Sequence, residues 1–351
     1  GGYCGIGYLD GAGIPAALRG SFVTGDFKAN RVKMFSLKPK GSGYELDWQD
    51  PILKSRHRNF RPVDVKVGPD GAIYVVDWYN PITCHQDDAY RDPTRDKQHG
   101  RIWRVATQES SVRPPNLRQV SDAEVVRALG AAEYWTRYQA KRALTERDPQ
   151  SVSHALDTWV RSLDPKRSDY EFCLYQALGA YATIERVEAG LLSRLLHAQD
   201  SRARAFASRL VGRWHDRLDD PLELLAERIR DEHPQVRLEA VVACAAIPAA
   251  ESICVAAIVV DQRRDPWIDY AFKQAVHRLR PWWEPAFQKG TLTFARPAHL
   301  ATVLNESGGR AALDSLKSLV DRGQLDAKVR ASAIASILAV GGPEELQTFG
   351  L

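Results

Sequence analysis

Acidic and histidine side chains are concentrated in one long polar segment, residues 79–100. The candidates for chemistry there are His85, Asp87, Asp88, Asp92, Asp96 and His99. Carboxylate oxygens suit calcium and imidazole suits zinc or iron, so this segment could bind a cation. Basic residues are interleaved with the acids, at Arg91, Arg95, Lys97 and Arg101, and such mixed clusters are usually solvated ion pairs. We therefore prefer a salt-bridged loop, in which loss of Asp92 or Arg95 lowers stability.

A second group of polar residues stands where a predicted strand meets this segment. Asp77 and Asn80 flank Trp78 at the strand end, a position where binding residues are often found. The possible site loop comprises Asp77, Asn80, His85, Asp92, Arg95, Asp96 and His99. Packing of Trp78 against neighbouring strands is an equally good interpretation. No catalytic residue and no metal ligand is assigned.

These residues need β structure to position them, and the preceding sequence predicts a hairpin. Val63, Val65 and Val67 alternate as a half-buried strand requires, and Gly68-Pro69-Asp70-Gly71 predicts a turn. The predicted strands are 21–27, 31–37, 44–48, 62–67, 72–78 and 101–105. The glycine-rich residues 1–20 are predicted as a loop. Short, evenly spaced strands are typical of a sandwich, a barrel or the last blades of a propeller.

The period changes from two to 3.6 after a linker predicted at residues 107–120. Ser121 and Glu124 form a capping box, which predicts the first helix. Similar segments then recur every 33 or 34 residues, around Arg137, Tyr170, Arg204, Arg237 and Tyr270, with a later copy at Arg330. This pattern predicts helical hairpins stacked as a HEAT-like α-solenoid. The predicted domains are a partial propeller at 1–106, the linker, and helical repeats at 121–351.

Composition excludes several classes of protein. The formal net charge is +4, and basic and acidic residues alternate in the helical half, unlike the basic stripe of a nucleic-acid-binding protein. The five cysteines show no zinc-finger or CxxCH haem spacing. The apolar stretch 240–260 is interrupted by Pro248 and Glu251, which favours buried helices over a membrane span. We expect the chain to be a fragment, truncated at both ends.

Several motifs resemble one family of large exported proteins. They are GGYCGIGYLDG, TGDFKANRV, RNFRPVDVKVGPDGAIYVVDWYNPI and RDPTRDKQHGRIWRV, in this order within residues 1–105. The string is similar to the "membrane-bound dehydrogenase" proteins, in which a glucose- or sorbosone-dehydrogenase-like β-propeller precedes HEAT repeats and a C-terminal CxxCH cytochrome. The resemblance implies an exported or periplasmic protein. The upstream blades and the haem domain would lie outside this chain.

The family's propeller is in turn similar to soluble quinoprotein sugar dehydrogenases, which bind pyrroloquinoline quinone and calcium. By motif, Lys28 and Arg61 match the lysine and arginine that contact the quinone in those enzymes, and Val63 stands where they have a second arginine. Two cations in one site need an anion between them, either Asp64 or a ligand. Asp64 is three residues from Arg61 and should face the opposite side of the strand, so an external anion is favoured.

The leading functional hypothesis is therefore a sugar or alcohol dehydrogenase module on a helical scaffold. Its partners would be a carbohydrate-like small molecule and an electron-accepting cytochrome, with a protein partner also possible on the solenoid. The alternative is a non-catalytic scaffold in which propeller and solenoid bind a carbohydrate or a protein. Neither hypothesis involves nucleic acid or a membrane span.

Overall fold

A computed structural model of the chain describes residues 2–81, 92–108, 112–308, 312–323 and 325–349. Strands come first and helices follow, as the change of period predicts. The described strands are β1 (Tyr3–Tyr8), β2 (Phe22–Asp26), β3 (Arg31–Lys40), β4 (Gly43–Lys54), β5 (Pro62–Val67), β6 (Ile73–Asp77) and β7 (Arg101–Val105). Short 3-10 helices lie at Ala16–Leu18, Phe27–Ala29, Ala128–Gly130, His215–Arg217 and Ala257–Asp261.

The helices occupy the rest of the described chain. They are α1 (Asp122–Arg127), α2 (Tyr134–Thr145), α3 (Pro149–Ser162), α4 (Tyr170–Thr183), α5 (Ala189–Leu196), α6 (Ser201–Arg213), α7 (Pro221–Arg228), α8 (Pro234–Cys244), α9 (Glu251–Ala256), α10 (Pro266–Gln288), α11 (Pro297–Ser307), α12 (Leu313–Asp321), α13 (Ala327–Val340) and α14 (Pro343–Phe349). No helix in the described part of the chain is both long and apolar enough to cross a membrane.

The strands form two antiparallel sheets, each in chain order. One sheet has the order β1-β2-β3-β4 and the other β5-β6-β7, and neither closes on itself among the described residues. Both pack on a shared core, which contains Val23, Val32, Val65 and Val75. The alternation predicted for these strands therefore has a direct cause, because every second side chain enters the core.

Strand β1 corrects the prediction that residues 1–20 are a loop. Tyr3–Tyr8 pairs antiparallel with β2, with Tyr3 opposite Asp26 and Tyr8 opposite Phe22. Its register is irregular between Cys4 and Gly7, and its glycines have no side chain to show a period of two. Residues 3–8 therefore form a strand because they pair with β2, and their own sequence does not predict a strand. The predicted strand 44–48 is also longer, because β4 runs from Gly43 to Lys54.

Two turns bring distant segments into position. The turn predicted at residues 28–30 is the 3-10 helix before Asn30, which has a φ of 53°. The Asn30 amide donates to the carbonyl of Phe60 at 2.8 Å, so this turn is tied to the residues just before β5. In the predicted turn after β5, Gly71 has a φ of 72°, and a Cβ there would lie 2.7 Å from the Cα of Gly13. Glycine is required at that position.

The chain packs as two compact units. The first comprises residues 1–40 and 44–186, and the second comprises residues 41–43 and 187–351. The predicted boundary at 106 follows the change from strands to helices, whereas packing groups α1–α4 with the strands. The capping box at Ser121 and Glu124 is present as predicted and begins α1.

Arginines at the repeat position share one contact. Arg137, Arg204 and Arg237 each donate from Nη1 to the carbonyls five and six residues before them, at 2.5–2.9 Å. Each arginine thus fixes the turn that leads into its own helix. Since an unsatisfied carbonyl is costly, this contact accounts for arginine at these three copies of the repeat, whereas tyrosine stands at the copies of residues 170 and 270. In the second unit α6 packs on α8, and α8 packs on α10.

Candidate functional site

Arg61 and Lys28 lie at the same end of neighbouring strands. Arg61 has only 5% of its surface exposed, and its Nη1 donates to the carbonyl of Phe27, the residue before Lys28, at 3.0 Å. Nη1 also donates to Phe60 at 3.5 Å, and Nη2 donates to the carbonyl of Pro81 at 3.0 Å. Burial and the nearby Arg58 charge lower the pKa of Arg61. Lys28 is exposed on the adjoining turn.

Asp64 does not neutralise Arg61. Its carboxylate lies 3.2 Å from Nζ of Lys66 and accepts from the amide of Val65 at 2.8 Å. The pairing of β5 with β6 is irregular between Pro62 and Asp64, so the contacts of Asp64, and not a regular alternation from Arg61, show where its carboxylate lies.

The contacts of Arg61 bear on the quinone expected between it and Lys28. Both terminal nitrogens of the guanidinium are engaged by backbone carbonyls. Nε is buried and has no hydrogen-bond partner. Arg61 thus directs most of its donors to backbone carbonyls of the described residues, and an external anion would have to be held mainly by the exposed Lys28. The quinone and calcium assignment remains a prediction.

Asp77 is the centre of a hydrogen-bond network at the end of β6. Its Oδ1 accepts from the amides of Arg61 at 2.8 Å and Tyr79 at 2.9 Å. Its Oδ2 accepts from Nε of Arg101 and from the Trp103 indole, each at 2.9 Å. Burial alone would raise the pKa of Asp77, but these donors outweigh it and hold the pKa below its ordinary value. The carboxylate joins three segments of the chain.

The remaining residues of the predicted site loop mostly bond to their own neighbours. Asp92 accepts from the Thr94 amide and hydroxyl, and Asp96 accepts from the amide of His99 and pairs with its ring. Hydrogen bonds from the Thr94 side chain and amide lower the pKa of Asp92. The other members are Asn80, which is buried and donates to the carbonyl of Asp96 at 3.5 Å, and Arg95, whose guanidinium lies 5.3 Å from the Trp78 ring. Asp92 and Asp96 therefore bond to residues two or three positions away in the described contacts, and their pairing with the arginines of the loop remains a prediction.

Part of the predicted site falls outside the described residues. This holds for His85, Asp87, Asp88 and Arg91. Among the residues that the structure does describe, no three His, Cys, Asp or Glu side chains converge to hold a metal ion. The cation hypothesis for this segment is therefore neither supported nor tested.

A second site, which the sequence does not predict, lies within the first unit. It is a half-open cleft of about 500 Å³ between helix α2 on one side and β1 with the β5–β6 turn on the other. Its aromatic lining consists of Tyr8, Tyr74, Tyr134, Trp135 and Tyr138, and its polar lining includes Asp10, Lys66 and Gln139. The sequence assigns the segment YWTRYQ to a helical repeat and predicts no site there. The signal for the cleft is the spacing of Tyr134 and Tyr138, which places both rings on one face of a helix.

Asp10 fixes the cleft by capping α2. The N-cap residue Glu133 makes no side-chain cap of its own, and the amide of Tyr134 donates instead to Oδ2 of Asp10. Nη2 of Arg137 lies 3.3 Å from the same oxygen. Desolvation outweighs these contacts and raises the pKa of Asp10. The carboxylate therefore joins the end of β1 to the first turn of α2.

One protein-family model is similar to the N-terminal part of the chain. Residues 1–109 match the family described as "Domain of unknown function (DUF7133)". No curated protein matches the chain.

Crystal structures of engineered proteins from the Northeast Structural Genomics Consortium are similar to part of the chain. One is 19% identical, with a TM-score of 0.34, and covers 66% of this chain and 100% of its own. A second is 17% identical, with a TM-score of 0.29, and covers 65% and 96% respectively. A third is 19% identical, with a TM-score of 0.34, and covers 64% and 73%.

Proposed function

We propose that the strands are the last blades of a β-propeller and that the helices form a HEAT-like solenoid. Two observations support this proposal. The first sheet is a four-stranded meander in chain order, which is the composition of a propeller blade, and the next three strands begin a second one. Strand β1 packs against β5, so the two sheets meet through their first strands, as the innermost strands of neighbouring blades do.

The function that this arrangement supports best is that of a quinoprotein-like sugar or alcohol dehydrogenase module. The observation that carries it is the contact between Arg61 and the carbonyl of Phe27, which joins the Lys28 turn to the start of β5. These are the two segments that the dehydrogenase motifs match. In this proposal the propeller takes a carbohydrate-like substrate, and the solenoid supports transfer of electrons to a cytochrome in an exported protein.

A non-catalytic scaffold is the second candidate, and a separate observation favours it. Arg61 and Asp77, two of the residues predicted for the site, spend their hydrogen-bonding groups on the fold itself. Residues used in this way stabilise strand ends without any ligand. Under this proposal, the propeller and the solenoid bind a carbohydrate or a protein partner and carry out no reaction.

Titration with pyrroloquinoline quinone and calcium distinguishes the two candidates. Lys28→Ala is the informative variant, because Lys28 is exposed and its loss should leave the fold intact. Lys38→Ala is the matched control, since Lys38 is an exposed lysine that pairs with Asp47. The dehydrogenase proposal expects quinone binding that Lys28→Ala weakens and Lys38→Ala does not. Equal binding by all three proteins, or none by the wild type, supports the scaffold.

A further inference from the structure

The aromatic cleft has walls of similar character on both sides. Tyr134 and Tyr138 lie one turn apart on α2, with ring centroids 6.2 Å apart and ring planes within 16° of each other. They are 52% and 47% exposed, although each presents a large apolar ring. Tyr8, 37% exposed, and Tyr74 line the cleft from the strands. Flat aromatic surfaces thus border the same space from the helix and from the sheet.

The polar groups of the cleft add both donors and acceptors with little net charge. Asp10 contributes a carboxylate, Lys66 an ammonium group and Gln139 an amide. The Asp10 carboxylate accepts from α2, and the exposed Lys66 ammonium group lies 3.2 Å from the Asp64 carboxylate, so each charge of the cleft has a partner of opposite polarity nearby. A volume of about 500 Å³ is within the range of small-molecule sites. These features suit a neutral ligand that has a flat face to pack on the aromatic rings and hydrogen-bonding groups at its edge.

We propose that this cleft binds a neutral saccharide through stacking on Tyr134 and Tyr138. A pyranose ring has C–H groups on its faces, which pack on aromatic rings, and hydroxyl groups at its edge, which meet the amide and the tyrosine hydroxyls. The half-open shape leaves room for further sugar units along α2. This site is separate from Lys28 and Arg61, and its saccharide binding does not require a quinone or any oxidation.

The test is calorimetric titration of the intact chain with cellotetraose, maltotetraose, xylotetraose and mannotetraose. Variants Tyr134→Ala and Tyr138→Ala remove one stacking surface each, and the corresponding phenylalanine variants keep it. Tyr270→Ala is the control, because Tyr270 is 62% exposed on α10 and lies outside the cleft. Thermal melts of all variants confirm that each protein is folded.

We expect at least one tetrasaccharide to bind, with affinity about tenfold weaker in either alanine variant, as loss of one aromatic contact predicts. The phenylalanine variants should stay within about threefold of the wild type, and Tyr270→Ala should match it. The proposal is overturned if no tetrasaccharide binds the wild type or if the alanine variants bind equally well. Quinone titration is a separate measurement, so this result stands apart from the dehydrogenase proposal.

Discussion

A charged residue at the end of a strand can have the properties of a ligand-binding residue and still use its hydrogen bonds to hold the fold together. Asp77 has the charge and position of a ligand-binding residue, yet its four donors come from the chain itself. The sequence predicts that a carboxylate stands there, but not which donors reach it. Arg101 and Trp103 arrive only when β7 pairs with β6, and Asp77 stands opposite Arg101 in that pairing. The role of Asp77 is therefore a property of the sheet.

Replacing Asp77 should be strongly destabilising. In Asp77→Asn the side-chain NH2 group replaces a carboxylate oxygen that accepts hydrogen bonds, so N–H donors then face one another. Arg101 also loses the buried carboxylate with which it pairs. Breaking a fully buried pair costs about 3–5 kcal/mol of unfolding free energy, and because the Arg101 side chain is 31% exposed we expect a loss at or below the lower end of that range. Urea titration of the two proteins measures the difference. Asp92→Asn is the comparison, since Asp92 bonds only locally in the described contacts, and a loss there equal to that of Asp77→Asn would contradict the prediction.

The lowered pKa of Asp77 gives the stability a defined pH dependence. The folded state holds the pKa below the ordinary value of 3.8, so ionised Asp77 contributes its full stability above that pH. The contribution is lost as the pH falls through the lower, folded-state pKa. We expect the difference in unfolding free energy between wild type and Asp77→Asn to shrink below pH 3.8. A difference that stays constant from pH 7 to pH 2 would show that Asp77 has an ordinary pKa.

Elements with a clear period could be predicted from the sequence, and one without a period could not. Strands β2, β3 and β5 to β7 lie where alternation places them, and the helices begin at the capping box. Strand β1 contains Gly5 and Gly7, which have no side chains, so one face of the strand shows no pattern of apolar and polar residues. Sequence patterns do not predict the aromatic cleft either. Its two walls are at least 60 residues apart in the chain, and no local sequence pattern predicts that α2 packs beside β1.

The arginine at the repeat position should not tolerate lysine. Arg237 donates to the carbonyls of Asp231, Glu232 and Arg263, and a lysine ammonium group cannot reach all three. Each buried carbonyl left without a donor costs about 1–3 kcal/mol. Arg237→Lys should therefore lower the melting temperature by several degrees in a thermal scan. Arg330→Lys, at an exposed copy of the position, should change little, and equal effects would show that the carbonyl contacts are unimportant.

At the scale of the whole molecule, packing groups the strands with the first helices. A fragment ending at residue 110 loses α1–α4, including the contacts between Asp10 and α2, and its edge strand β7 is then not accompanied by any helix. A fragment ending at residue 186 keeps the first unit almost complete. We expect residues 1–110 to aggregate and residues 1–186 to unfold cooperatively as a monomer. Differential scanning calorimetry with light scattering tests both, and a cooperative, monomeric melt of the shorter fragment would contradict the prediction.

The cap on helix α2 also has a consequence for synthesis of the chain. The helix receives its capping carboxylate from Asp10, 124 residues earlier, and not from its own N-cap residue Glu133. A ribosome releases the N-terminal residues first, so Asp10 leaves the exit tunnel before Tyr134 does. The residue that caps the first turn of α2 is therefore synthesised before the helix itself.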